Sequence, residues 1–219
     1  RDTKVAQPLI VAASLLAWQA LAHPDKVRGV AGHSVGELAA LAATGVITDI
    51  EAMRLVGVRG RAMAEAAALE ATGMSAVIGG DQDAVVARLT ELELTPANYN
   101  GGGQLVAAGA LDALAQLSAE PVASTRVIPL QVAGAFHTRF MQPAVEALRA
   151  EASTVAPSDP TLTLWTNRDG STVSSGASAL DLLVGQVANP VRWDLCMAAF
   201  ADGGVTGIIE LAPAGTLAG

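Results

Sequence analysis

The chain has 219 residues, of which 51% are hydrophobic and only 3% aromatic, and its formal net charge at pH 7 is −8. This negative charge disfavours nucleic acid as a partner, and no apolar run reaches the roughly 18 residues that would predict a membrane span. The single cysteine and three scattered histidines predict neither an internal disulfide nor a metal site, and they suit a cytoplasmic protein.

The first third of the chain alternates helix and strand. Residues 5–22 are apolar with a helical period, and no cleavage-type site that would predict a signal peptide is present. A short apolar run at 27–31 predicts a buried strand, and helices are expected at 35–44 and 50–68, the second capped by Asp49. This alternation predicts a parallel sheet covered by helices.

A G-x-S-x-G motif, formed by Gly32, Ser34 and Gly36, lies between the first predicted strand and the helix that follows it. This is the sequence form of a nucleophile elbow, in which a sharp turn holds the serine clear of the backbone. We expect a side chain at either glycine to crowd that turn. The Val35 N–H and the positive helix end would face an oxyanion formed at Ser34. The spacing alone also arises by chance in a glycine-rich chain.

The pattern changes between residues 73 and 133. Strands are predicted at 74–78, 96–100, 104–108 and 126–132, and helices at 83–92 and 111–117. The order βαββαβ is that of a ferredoxin-like unit. Beyond it, a helix at 143–152, a strand at 162–166, helices at 180–187 and 192–201 and a last strand at 206–211 resume the first pattern. We therefore predict an α/β fold. An α/β-hydrolase-like parallel-sheet core is expected at 1–72 and 134–219, with a ferredoxin-like subdomain inserted at 73–133.

A serine nucleophile needs a base, and the chain offers three histidines. His33 adjoins Ser34 on the turn, where ring and hydroxyl align poorly, and a packing role is expected for it. His23 is expected at the opposite edge of the sheet. His137 follows the return from the predicted insert, and clefts form at such junctions. By elimination His137 is the candidate base, the alternative being a loop histidine bonded to a backbone group.

Arg59 lies on the apolar stripe of the predicted helix 50–68, because its neighbours one turn away are apolar. A buried guanidinium needs an anion, since an unpaired buried charge is very costly. That anion is either one of the 21 acidic residues of the chain or a carboxylate of the substrate. A planar fork that holds a carboxylate bidentately would explain arginine rather than lysine.

Together these residues resemble the malonyl-CoA:acyl carrier protein transacylase family of type II fatty acid synthesis and the related acyltransferase domains of polyketide synthases. The resemblance covers essentially the whole chain. Its segments are VAQP at 5–8, GHSVGE at 32–37, RGRAM at 59–63, NYN at 98–100, GAFHT at 134–138 and QVANPVRW at 186–193.

The resemblance implies a role for each polar residue. Ser34 would be the nucleophile that is esterified by a malonyl group, and His137 its general base. Arg59 would bind the malonyl carboxylate, and the Val35 N–H would be one oxyanion donor. The backbone carbonyl of Gln186 would orient the histidine in place of the aspartate of a triad.

The resemblance also implies a pocket and partners. Met63 and Phe136 would line the acyl pocket, the Phe-His pairing going with malonyl selection, and Asn100 would lie near the bound thioester. Malonyl-CoA and acyl carrier protein would be the partners, and no cofactor is expected because phosphopantetheine arrives on the carrier. An acidic carrier would need a basic patch, for which the candidates are Arg126, Arg139, Arg168 and Arg192.

Relatives in this family begin with an upstream strand and a G-Q-G loop that supplies a second oxyanion donor, and they end in a further helical segment. The resemblance therefore implies that the 219 residues alone are poorly active, while a longer enzyme containing them is active.

Two other functions use the same residues. A serine thioesterase or esterase would use Ser34 and His137 with water as acceptor, but it would have no use for the cation of Arg59 on an apolar face. A non-enzymatic module that docks a carrier protein would not become acylated on Ser34.

Overall fold

The computed structural model describes residues 2–215 and residue 217. Along these residues eight α-helices and seven strands follow one another, with short 3-10 turns at Pro24–Lys26 and Arg139–Met141. The elements are α1 (Thr3–Gln19), β1 (Gly29–Val30), α2 (Gly36–Ala43), α3 (Asp49–Ala67), β2 (Thr72–Gly79), α4 (Gln82–Glu91), β3 (Thr95–Gly101), β4 (Gln104–Ala110), α5 (Leu111–Ala119), β5 (Thr125–Pro129), α6 (Gln142–Ala152), β6 (Thr163–Leu164), α7 (Gly176–Gln186), β7 (Val191–Arg192) and α8 (Trp193–Asp202).

The predicted α/β fold with parallel strands agrees with this order of elements. Strands β1 and β6 pair in parallel, Gly29 with Thr163 and Val30 with Leu164. The elbow follows β1 directly, so this short sheet sets the position of Ser34. On the other side of the elbow, α2 starts at Gly36.

The region between Thr72 and Pro129 has the predicted βαββαβ order. Its strands form an antiparallel sheet in the order β5-β2-β4-β3. Strand β7, far later in the chain, extends this sheet by pairing in parallel with β3. The two regions thus share a sheet edge, and their division at residues 72 and 133 stays a prediction.

The main core is aliphatic and rich in alanine, as the composition suggests. It is built on α3, against which α1, α2 and α6 pack. Small residues permit close helix contact: a Cβ at Gly60 would lie 3.2 Å from the Cα of Lys4 in α1. This approach brings Gln7 of α1 next to Arg59 of α3.

Among the residues described, no helix is both long and apolar enough to cross a membrane.

Two local predictions are wrong. The N-cap of α3 is Thr48 rather than Asp49: its hydroxyl accepts from the Glu51 N–H, and the Glu51 carboxylate accepts from the Thr48 N–H, which forms a capping box. The strand expected at 206–211 is not formed, and Ile208 and Ile209 are exposed. Within the described part of the chain no strand pairs with this segment, and an unpaired strand has no ladder to stabilise it.

Candidate active site

Ser34 lies on a tight turn between β1 and α2, with φ at 53°, a left-handed conformation that is uncommon for a residue other than glycine. A Cβ at Gly32 would overlap the backbone of Gly36 and Glu37, so glycine is required there. A Cβ at Gly36 would meet no atom within 4 Å other than those of its chain neighbours and its own helix backbone. The expected crowding therefore holds for the first glycine of the motif and is wrong for the second.

The structure brings His137 to Ser34. Nε2 of the ring lies 2.7 Å from the Ser34 hydroxyl oxygen, and Nδ1 lies 2.9 Å from the backbone carbonyl of Gln186. A carbonyl only accepts, so Nδ1 carries the proton and the bare Nε2 accepts from the serine hydroxyl. The Gln186 carbonyl thus occupies the place that the resemblance implies for it.

His137 is 4% exposed. Burial, and then the positive charge of Arg59, lower the pKa of His137 to about 3. The imidazole is therefore neutral at ordinary pH, as a general base must be.

Arg59 is 1% exposed and reaches the same point from α3. Its Nη1 donates to the side-chain oxygen of Gln7 (2.5 Å), and Nη2 donates to that of Gln186 (2.9 Å) and to the Ser34 hydroxyl (3.3 Å). Nε has no hydrogen-bond partner among the described residues. Burial lowers the pKa of Arg59 to about 10, so the group stays charged at neutral pH.

No carboxylate in the described part of the chain forms an ion pair with Arg59. Of the two anions considered from the sequence, the internal one is thus present only at a distance, because the buried Glu37 attracts Arg59 without a direct ion pair. The guanidinium has five N–H groups, and it forms only three hydrogen bonds with the described residues, all to neutral groups. A buried cation held in this way is a site that can bind a carboxylate from a ligand.

A cavity of about 290 Å³ opens over Ser34. Its lining combines the elbow and α3 with the antiparallel sheet. The residues are Thr3, Gln7, His33, Ser34, Val35, Arg59, Met63, Met74, Asn98, Asn100, Val106, Leu130, Phe136 and His137. All the site residues proposed from the sequence line it except Gln186, which lies behind Arg59 and His137.

Val35 lies at the N-terminus of α2 and lines the cavity. Its N–H donates to no group among the described residues, so it is available to a ligand. His33 does not bond to Ser34. Its Nε2 lies 3.0 Å from Oδ1 of Asn100, and its ring packs edge-on against Trp193.

Three polar residues that hydrogen-bond within the site were not predicted from the sequence. Gln7 bonds to Arg59, and Asn167 accepts a hydrogen bond of 2.7 Å from the Ser34 N–H. Glu37 is 6% exposed and accepts from the Asn167 N–H and from the Gln186 side chain. One signal existed for Glu37, because it is the only charged residue of the segment 35–44.

The chain is similar to known acyltransferases. A family model described as "Acyl transferase domain" matches residues 1–218. The malonyl CoA-acyl carrier protein transacylase of Mycobacterium tuberculosis is 55% identical over 222 residues, which span 100% of this chain and 74% of that protein.

Solved structures agree. The crystal structure of MCAT from Mycobacterium tuberculosis superposes with a TM-score of 0.96 at 55% identity, covering 99% of this chain and 73% of that one. A type II PKS acyl-carrier protein in complex with its malonyl-transacylase matches with a TM-score of 0.85 at 30% identity, covering 93% and 69%.

Proposed function

The chain belongs to the acyl transferase domain family, and on that basis we propose that it transfers a malonyl group from malonyl-CoA to the phosphopantetheine thiol of acyl carrier protein. The reaction serves fatty acid or polyketide biosynthesis. One observation supports the proposal most strongly. The Ser34 hydroxyl contacts both the neutral His137 and the buried Arg59, and Arg59 forms no direct ion pair with a carboxylate of the described part of the chain.

In the first half-reaction malonyl-CoA acylates Ser34. His137 Nε2 takes the hydroxyl proton while the serine oxygen attacks the thioester carbon, and the Val35 N–H stabilises the resulting oxyanion. When the tetrahedral intermediate collapses, the C–S bond breaks and the CoA sulfur takes the proton from His137. The product is a malonyl-serine ester.

Arg59 binds the malonyl carboxylate during this step. Since the charge of Arg59 is one of the causes that lower the pKa of His137, a bound carboxylate offsets that effect. The base therefore becomes stronger when the acyl group carries an acid, which adds to the selectivity of the ion pair itself.

The second half-reaction runs in reverse with another thiol. His137 deprotonates the phosphopantetheine thiol of the carrier, the sulfur attacks the ester, and Ser34 recovers its proton. Met63 and Phe136 line the acyl part of the cavity in this proposal, and Asn100 lies near the thioester.

We propose that no resident cofactor takes part, because a serine nucleophile and a histidine base suffice for exchange between two thiols. A cytoplasmic location, where malonyl-CoA and acyl carrier protein meet, is supported by the single buried Cys196. Of the four arginines proposed for docking, Arg192 is bonded to Asp194 and stacks on Tyr99, so it is less available to an acidic carrier.

The proposal is tested by transfer in two steps. The protein is treated with malonyl-CoA, separated from it, and mixed with holo acyl carrier protein, whose mass is then measured. Malonylated carrier is the expected product, and apo carrier without the thiol is the control. Free malonate formed at the same rate with and without carrier would identify a hydrolase instead.

A further inference from the structure

We infer that Glu37 is a positioning residue which, through the side-chain amide of Gln186, fixes the guanidinium of Arg59 and so contributes to the preference for an acyl group with a carboxylate. This inference rests on the proposed function, because it concerns how the same site selects its acyl group.

Glu37 lies under the elbow, and both of its oxygens are used. One accepts from the Asn167 N–H (2.6 Å) and the other from Nε2 of Gln186 (2.5 Å). On its other side the residue borders a small cavity whose lining is mainly apolar, including Leu41 and Leu183. Burial raises the pKa of Glu37 to about 7, and the two N–H donors and the charge of Arg59 oppose that rise and favour the carboxylate.

The amide of Gln186 has one donor end and one acceptor end. Because a carboxylate only accepts, Glu37 holds the NH₂ end towards itself, and the oxygen end is turned to Nη2 of Arg59 at 2.9 Å. A reversed amide would set its oxygen against the carboxylate and its NH₂ against the guanidinium. Glu37, together with the Ser34 carbonyl that accepts from the same Nε2, thus favours the orientation in which the oxygen of Gln186 faces Arg59.

The negative charge of Glu37 also acts on Arg59. Its attraction raises the pKa of Arg59, against the larger effect of burial, although the two groups share no direct ion pair. The amide between them is therefore the link through which the carboxylate orients the guanidinium.

Glu37 also supports the elbow, and this second effect must be separated. Its partner Asn167 accepts from the Ser34 N–H at 2.7 Å, and Gln186 Nε2 donates to the Ser34 carbonyl at 3.0 Å. A disturbed elbow slows acylation by every acyl-CoA equally. A disturbed Arg59 slows only acylation by an acid, so acetyl-CoA, which has no carboxylate, reports on the elbow alone.

The test is the variant Glu37→Gln, with Glu146→Gln, an exposed glutamate of α6, as the matched control. A glutamine at position 37 has one acceptor oxygen for the two donors of Asn167 and Gln186, so the orientation of Gln186 is then held only by the Ser34 carbonyl and Arg59 and is weakened. We expect the ratio of kcat/KM for malonyl-CoA to that for acetyl-CoA to fall about tenfold or more, the size of one hydrogen bond to a charged group. E146Q is expected to keep the wild-type ratio.

A second cycle separates the route from a general effect. In an Arg59→Ala background, E37Q is expected to leave the ratio unchanged, because the group that it positions is gone. A further fall there, or an equal loss on both substrates in E37Q alone, would overturn the inference. If E37Q does not fold, Gln186→Met tests the same link, and a Q186M protein with the wild-type ratio would overturn it.

The result for the wild type distinguishes failure of the proposed function from failure of the inference about Glu37. A wild-type protein that malonyl-CoA does not acylate would overturn the proposed function together with this inference. A wild type that prefers malonyl-CoA, beside an E37Q variant with the same preference, would overturn the inference alone.

Discussion

Nη2 of Arg59 lies 3.3 Å from the hydroxyl oxygen of Ser34. The group that would bind an acid and the atom that would attack a thioester are therefore almost in contact. An acyl group that satisfies both must carry its carboxylate close to its thioester carbon. A malonyl group, with one methylene between the two, meets that condition.

Lengthening the acid by one methylene is therefore expected to slow acylation. Succinyl-CoA can keep its carboxylate on Arg59 only by moving the thioester carbon away from Ser34 by about one bond length. A misplacement of this size costs on the order of 10² in rate. Single-turnover acylation, followed by protein mass after quenching, measures the ratio. Equal rates for the two acids would show that Arg59 does not anchor the carboxylate.

Removal of the guanidinium is expected to act on acids alone. Arg59→Ala should lower kcat/KM for malonyl-CoA by about 10²–10³, the size of a charge-assisted contact in a buried site, and should leave acetyl-CoA much less affected. Arg61→Ala is the matched control, because Arg61 is an exposed arginine on the same helix. Similar losses for both variants, or for both substrates, would argue against a carboxylate site at Arg59.

The buried histidine predicts a dependence of stability on pH. Folding lowers the pKa of His137 from 6.5 to about 3, so below about pH 6.5 the unfolded chain binds a proton that the folded chain refuses. The contribution of His137 to the free energy of unfolding is therefore fully present at high pH and is lost as the pH falls from about 6.5 to about 3.

Replacing His137 removes this loss. The free energy of unfolding of His137→Asn minus that of the wild type is expected to be about 2 kcal/mol more favourable to the variant at pH 5 than at pH 8. Urea unfolding of both proteins at both pH values measures this difference. His23→Asn, which changes an exposed loop histidine, controls for loss of a histidine as such. A difference that is the same at both pH values would mean that His137 is not buried in its neutral form.

The two glycines of the motif are expected to differ in their effect on stability. Gly32→Ala places a Cβ into the backbone of Gly36 and Glu37, and we expect a loss of about 3 kcal/mol or more in the free energy of unfolding. Gly36→Ala meets open space at the start of α2 and is expected to stay within about 1 kcal/mol of the wild type. Chemical denaturation of both variants makes the comparison, and equal losses would contradict it.

Local patterns were sufficient for most of the fold. The βαββαβ order between Thr72 and Pro129 follows from periodicity and turn residues close together in the sequence. The same signal fails at 206–211, where Ile208 and Ile209 have the apolar character of a strand but are exposed. A strand needs a partner, and the partner is not a local property.

Site residues were predictable where their chemistry gives a recognisable sequence pattern. Ser34 has a motif. His137 was predicted because the chain has only three histidines, and Arg59 because a charged residue is rare on the apolar stripe of a helix. The structure brings these three side chains together. Gln7 and Asn167 have no such sequence pattern. They become site residues only because α1 packs on α3 and because the chain after β6 returns to the elbow.

The most direct measurement of the central claim is the intact mass of a longer enzyme that contains these residues, taken after brief exposure to malonyl-CoA and acid quenching. We predict one malonyl group per chain, located on Ser34 by peptide analysis, removed by holo acyl carrier protein and absent from Ser34→Ala. No adduct on the wild type, or an adduct that persists in the alanine variant, would contradict the account.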